Sequence, residues 1–155
     1  METLQFSVDI DAPVHTVWSS MLDDAPYREW TGEFHPGSHY TGSWELGSDI
    51  RFIGPNDDGT MSGMLATVVE HRPDDFLSLE YLGQIDHDVD DLESDEARQL
   101  AGSHENYTFR EHNGVTTVAV DLESTVDLAD MFNDLWPKAL AKLKDVAERA
   151  AAAGA

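Results

Sequence analysis

Apolar side chains recur at steps of three and four near the end of the chain. They are Leu128, Met131, Phe132, Leu135, Trp136, Ala139, Leu143, Val146 and Ala147. That spacing predicts one long amphipathic helix with a broad apolar stripe. At the start of the chain the period is two. Leu4, Phe6, Val8 and Ile10 alternate with Gln5, Ser7 and Asp9, the pattern of a half-buried strand. Asp11-Ala12-Pro13 then opens a helix, with Pro13 near its first position and Asp11 as the cap. Val14, Val17, Trp18, Met21 and Leu22 form its stripe, and Asp23 to Pro26 ends it. A second short helix, Tyr27 to Thr31, carries Trp30.

Glycine, proline and aspartate then punctuate a series of strands. The expected strands are Tyr40–Leu46, Asp49–Ile53 and Met61–His71, the last with Met64, Ala66 and Val68 on one face. Leu77, Leu79 and Tyr81 alternate in the next. Between Gln84 and Gly102 the alternation stops. An acidic loop, Asp86 to Asp91, leads into a helix over Glu93–Ala101 with Ser94 as cap. A segment of this length inside a tight meander predicts a functional or mobile element, here a lid. Tyr107 and Phe109 open another strand, Asn113-Gly114 turns it back, and Val118, Val120 and Leu122 return. Asp127 is the expected cap of the last helix.

Strands joined by such short turns pair antiparallel, and an antiparallel sheet buries one face. The expected fold is α+β: a sheet of about six to seven strands wrapped around the long C-terminal helix, with two short helices after the first strand. A sheet closing on a helix leaves room at one end, which makes a cavity. Residues 1–149 form a single domain, and the alanine-rich tail 150–155 frays.

Composition narrows the function. The chain has 155 residues, enough for a core without staples. It has no cysteine, which removes disulfides, thiolate nucleophiles and cysteine metal sites, and fits a reducing compartment. No run is apolar enough to span a bilayer and the N-terminus lacks a signal-peptide pattern, so a soluble cytoplasmic protein is expected. The charge is extreme: 31 acidic residues against 9 basic, formally −22. All three lysines, Lys138, Lys142 and Lys144, lie on the last helix. Two readings fit: solvation in a high-salt cytoplasm, or an acidic face for a cationic partner. Both argue against nucleic-acid or anionic-membrane binding.

The order of elements and several stretches resemble the START-like, or SRPBCC, helix-grip superfamily. Within it the chain looks closest to the branch named after the activator of Hsp90 ATPase homologue. The stretches are Ile10 to Trp18, Gly47 to Phe52, Pro55 to Gly63, the Glu70-His71-Arg72-Pro73 corner, and Trp136-Pro137-Lys138-Ala139-Leu140-Ala141-Lys142-Leu143. Glu93 to Asn106 looks like a subfamily insertion. The resemblance implies a cavity between sheet and long helix that holds small apolar molecules in some relatives. It transfers no activity, because one fold hosts many functions.

The expected cavity lining is Trp30, Phe34, Tyr40, Trp44, Phe52, Met64, Tyr81, Tyr107, Met131 and Leu135. Tyr81, Tyr107 and His104 are the candidate catalytic groups, since a phenol can donate a proton and histidine can do acid–base work near neutral pH. Arg51, between Ile50 and Phe52, is expected to face outward and pair with acids. No metal site is expected. His35 and His39 are separated by Pro36-Gly37, and the acids around His87 lack the glycine and closing glutamate of a calcium loop. Hydrolase-elbow and phosphate-loop motifs are missing, and no cofactor is implied.

The reading is a protein that encloses a small hydrophobic or amphipathic molecule. A cyclase or dehydratase acting on an aromatic or polyketide-like substrate, and a chaperone-associated interaction domain, are the alternatives. A homodimer is also compatible with the sequence.

Overall fold

The computed structural model describes residues 1–154. The first strand, β1 (Glu2–Ile10), leads into two short helices, α1 (Val14–Leu22) and α2 (Asp24–Thr31). Strands β2 (His39–Gly42), β3 (Asp49–Pro55), β4 (Met61–Arg72) and β5 (Phe76–Asp86) follow as a meander. Next come β6 (Val89–Asp91), α3 (Asp95–Leu100), β7 (His104–His112), β8 (Val115–Ser124) and α4 (Val126–Gly154). The expected frayed tail is helical as far as Gly154, and Ala155 lies outside the described residues.

All eight strands join one antiparallel sheet in the order β1-β8-β7-β5-β4-β3-β2, with β6 added to β5. This is the helix-grip architecture. The strand beyond the expected count is β6, and it corrects the reading of Asp86–Asp91 as a loop. The segment is a hairpin whose turn residues, His87 and Asp88, both take positive φ. The β7–β8 hairpin does the same at Asn113-Gly114, a pair suited to that conformation.

The core lies between the sheet's concave face and α4. Ile10, Val17, Met21, Ile50, Leu77, Leu79, Phe109, Val118 and Leu143 are fully buried there. The helix presents Trp136, Ala139, Leu140, Leu143, Val146 and Ala147 to it, the stripe its spacing implies. Pro137 lies within α4; lacking an N–H, it removes the helical bond to the Asn133 carbonyl.

Helix capping departs from expectation at two ends. Asp11 does not cap α1; the Glu111 carboxylate of β7 accepts from the Val14 amide at 2.6 Å. For α4, the Thr125 hydroxyl rather than Asp127 accepts from the Leu128 amide. Ser94 caps α3 as expected, accepting from Ala97.

The Gln84–Gly102 segment lies against the sheet's outer face. Leu65 alternates with the core-facing Ala66 and pairs with Gly83, which lies under Leu92. Leu65, Ile85, Ala97 and Leu100 are buried but stand apart from the main core. The hairpin tip is tied down by Asp88, whose carboxylate accepts from the Met61 amide at 2.7 Å and whose amide donates to Met61 O. Arg51 faces outward as expected and grips Asp90, with Nη2 donating to Oδ2 at 2.7 Å.

Candidate ligand-binding cavity

A cavity of about 360 Å³ opens between the sheet and the first half of α4. That volume is in the range of small-molecule sites. Helix α2 supplies Tyr27, Trp30 and Thr31, the following loop supplies Phe34, His35 and Ser38, and His39 comes from the start of β2. The sheet contributes Phe52, Ile53 and Gly54 from β3, Ser62, Gly63 and Met64 from β4, Tyr81 from β5, and Glu105 and Tyr107 from β7. Leu128, Met131, Phe132, Leu135 and Trp136 of α4 close the far side. The mouth lies near Met131, which is 44% exposed, and His35. Trp30, Trp136, Tyr81, Tyr107 and Glu105 form the buried end.

That end is built around one carboxyl group. Alternation along β7 turns Glu105, Tyr107 and Phe109 inward together. Tyr81 donates its hydroxyl to Glu105 Oε1 at 2.8 Å, and Tyr107 donates to Oε2. Burial pushes the Glu105 carboxyl above its ordinary range, against the lowering effect of the two phenol bonds. The phenols respond in kind. Burial first, then the nearby carboxylate, lifts Tyr27, Tyr81 and Tyr107 above their ordinary range. Trp136 stands among the rings of Phe6, Trp30, Phe34 and Tyr107, with centroids 5.0 to 6.3 Å away. Its indole N–H is buried and unpaired.

Eight of the ten expected lining residues surround the cavity: Trp30, Phe34, Phe52, Met64, Tyr81, Tyr107, Met131 and Leu135. Tyr40 and Trp44 do not. The Tyr40 hydroxyl and the Trp44 indole N–H both donate to the Leu22 carbonyl, at 2.7 and 2.9 Å, and so finish the C-terminus of α1. Their rings back Tyr27 from outside the cavity. His104 faces the other side of β7, half-exposed, with its ring nitrogens 3.5 Å from Glu123 and 3.9 Å from Glu80. It cannot serve chemistry in the cavity from there.

No residue of Gln84–Gly102 lines the cavity, so the segment is not its lid. His35 Nε2 lies 2.7 Å from Pro55 O, and His39 Nδ1 lies 2.9 Å from Gly37 O. Both rings thus engage backbone rather than each other. His87 sits beside Asp86 at the exposed hairpin tip.

Glu105, Tyr27, Leu128, Phe132 and Trp136 were not among the expected lining residues. Leu128, Phe132 and Trp136 lie on the same α4 stripe as Met131 and Leu135, and Glu105 shares its strand face with Tyr107; those parities are the signal in the sequence.

The family model described as Activator of Hsp90 ATPase homolog 1-like protein matches residues 11–148. The chain belongs to this family. Solved structures share the family's fold at low identity. Protein MLL2253 from Mesorhizobium loti is 16% identical with a TM-score of 0.68, covering 96% of this chain and 98% of that one. The Aha1 dimer from Colwellia psychrerythraea is 16% identical with a TM-score of 0.69, covering 96% and 97%. A protein from Arthrobacter aurescens is 15% identical with a TM-score of 0.71, covering 95% and 86%. No curated protein matches the sequence. Among the described residues, no helix is long and apolar enough to cross a membrane.

Proposed function

We propose that this member of the activator of Hsp90 ATPase homolog 1-like family binds a small hydrophobic or amphipathic molecule in the cavity. The observation that carries the reading is the cavity's composition: mostly aromatic and aliphatic walls with a buried carboxyl–phenol cluster at one end. Burying roughly 200 Å² of apolar ligand surface is worth about 5 kcal/mol at 25 cal/mol per Å². Before the cost of association is subtracted, that corresponds to a dissociation constant between about 1 mM and 1 μM. The Tyr81–Glu105–Tyr107 end then supplies orientation. Native mass spectrometry of gently prepared protein tests this reading. The expected result is a small apolar or amphipathic compound retained with the chain. Absence of a retained compound, together with no thermal stabilisation by a panel of such compounds, contradicts it.

One observation favours a second reading, catalysis on an aromatic or polyketide-like substrate. A buried carboxyl held above its ordinary range between two phenols is suited to proton transfer. In that reading Glu105 is the acid–base group, and Tyr81 and Tyr107 position it. Conversion of such a substrate by the wild-type protein and loss of turnover in E105Q are the expected results.

Self-association is proposed as well, supported by the dimeric Colwellia relative. Sedimentation velocity across a concentration series tests it, with a constant monomer contradicting it.

A further inference from the structure

We infer that the cavity selects amines: organic cations with an apolar body, whose ammonium group pairs with Glu105 at the buried end. The inference rests on the ligand-binding reading above and names the class of ligand. Glu105 is 8% exposed, and no basic side chain contributes to its environment. Among the described residues, neither lysine nor arginine lines the cavity wall. A carboxylate buried without a counter-charge is costly, and a ligand cation is the group that removes the cost.

Two phenol hydroxyls occupy one acceptor position on each carboxyl oxygen. A carboxylate offers about four such positions, so acceptor capacity remains for ammonium N–H donors. Charge-assisted bonds of that kind are roughly twice as strong as neutral ones. The cavity wall also carries the rings of Tyr107, Trp136 and Trp30, a ring type whose faces attract cations. The groups facing Glu105 are the hydroxyls of Tyr81 on β5 and Tyr107 on its own strand, with Tyr27 on α2 close enough to feel its charge. His35, in the loop after α2, and His39, at the start of β2, stand on the cavity wall. A formal charge of −22 further favours the approach of cations over anions.

The test compares three ligands of nearly equal size by calorimetry: tryptamine, its neutral isostere tryptophol, and indole-3-acetate. Titrations in roughly 1 M salt, where the screening length is about 3 Å, remove the diffuse attraction of the whole protein. The expected order is tryptamine at least about tenfold tighter than tryptophol, and indole-3-acetate weakest. E105Q changes the formal charge only from −22 to −21, so its expected collapse of the tryptamine preference is a local effect.

The pH profile of the wild-type protein is a second arm that does not depend on that variant folding. An alkylamine stays protonated between about pH 5 and 8. Tryptamine affinity is therefore expected to fall as pH drops through the folded-state value of Glu105, which burial holds above the ordinary 4.5, while tryptophol affinity does not follow it. Equal affinities for tryptamine and tryptophol, or a preference that survives in E105Q, overturn the amine selection and leave the cavity reading standing. A flat tryptamine profile overturns it too. Absence of binding by all three overturns both.

Discussion

Tyr81 and Glu105 meet at 2.8 Å in the buried end of an aromatic cavity, the phenol on β5 and the carboxyl on β7. The two strands pair regularly only from Phe76 to Glu80, opposite Thr108 to His104. Beyond that point the backbone continues through Tyr81 N–H to Ser103 O at 2.9 Å. The contact thus sits where β5 leaves β7 and turns to pair with β6. Tyr107 completes the arrangement from the other side.

Removing one donor exposes what the arrangement contributes. Tyr107→Phe leaves a buried carboxyl oxygen without its partner, an effect of about 1–3 kcal/mol on stability. Because the Tyr107 bond is the larger of the two lowering influences, the Glu105 carboxyl should titrate still higher in this variant than in Tyr81→Phe. Urea unfolding and a carboxyl NMR titration check the two parts separately.

Stability should carry the signature of Glu105 across pH. Its folded-state value lies above the ordinary 4.5, because burial outweighs the phenol bonds. In that window the folded chain holds a proton that the unfolded chain has released, so stability falls as pH rises. The contribution is complete below pH 4.5 and is lost as pH passes the folded value. Substituting E105Q removes this slope. The unfolding free energy of wild type minus that of E105Q is expected to decline as pH rises above 4.5 and to level off past the folded-state value. A pH-independent difference would mean that Glu105 is not perturbed by folding.

The architecture was legible where periodicity is strong. The α4 stripe, the alternation in β1 and β8 and the Asn113-Gly114 turn each report local physics that tertiary structure reinforces. Strand β6 was not legible, because Val89-Asp90-Asp91 shows no apolar alternation and its hairpin is held from distant positions, by Met61 through Asp88 and by Arg51 through Asp90. The apolar walls could be read from strand and helix parity. Parity says which face a residue takes but not which end of the sheet it occupies. Tyr40 and Trp44 were misplaced for that reason, drawn instead to the Leu22 carbonyl. Glu105 was hidden among 31 acidic residues, and only its place in step with Tyr107 and Phe109 separates it from them.

The α1 cap comes from another part of the chain. Glu111→Ala removes the acceptor for the Val14 amide and should cost about 1 kcal/mol. Asp11→Ala should cost less, since the Asp11 side chain does not cap the helix. Chemical denaturation of the two variants decides between them.

Salt should stabilise the fold. With a formal charge of −22, self-repulsion opposes compaction, and about 1 M salt screens it over roughly 3 Å. The melting temperature is expected to rise steadily with potassium chloride. A fall with added salt would indicate that the exposed ion pairs, such as Arg149 with Glu29, outweigh the repulsion.

The central claim is that a small apolar molecule occupies the cavity, and the chain's five methionines provide the most direct measurement. Met64 and Met131 line the cavity, while Met1 lies exposed on β1's side of the sheet. Titrating an indole-sized ligand into protein labelled with ¹³C at the methionine methyls should shift Met64 and Met131 and leave Met1 unmoved. Unchanged Met64 and Met131 signals up to the solubility limit of such ligands would contradict the account.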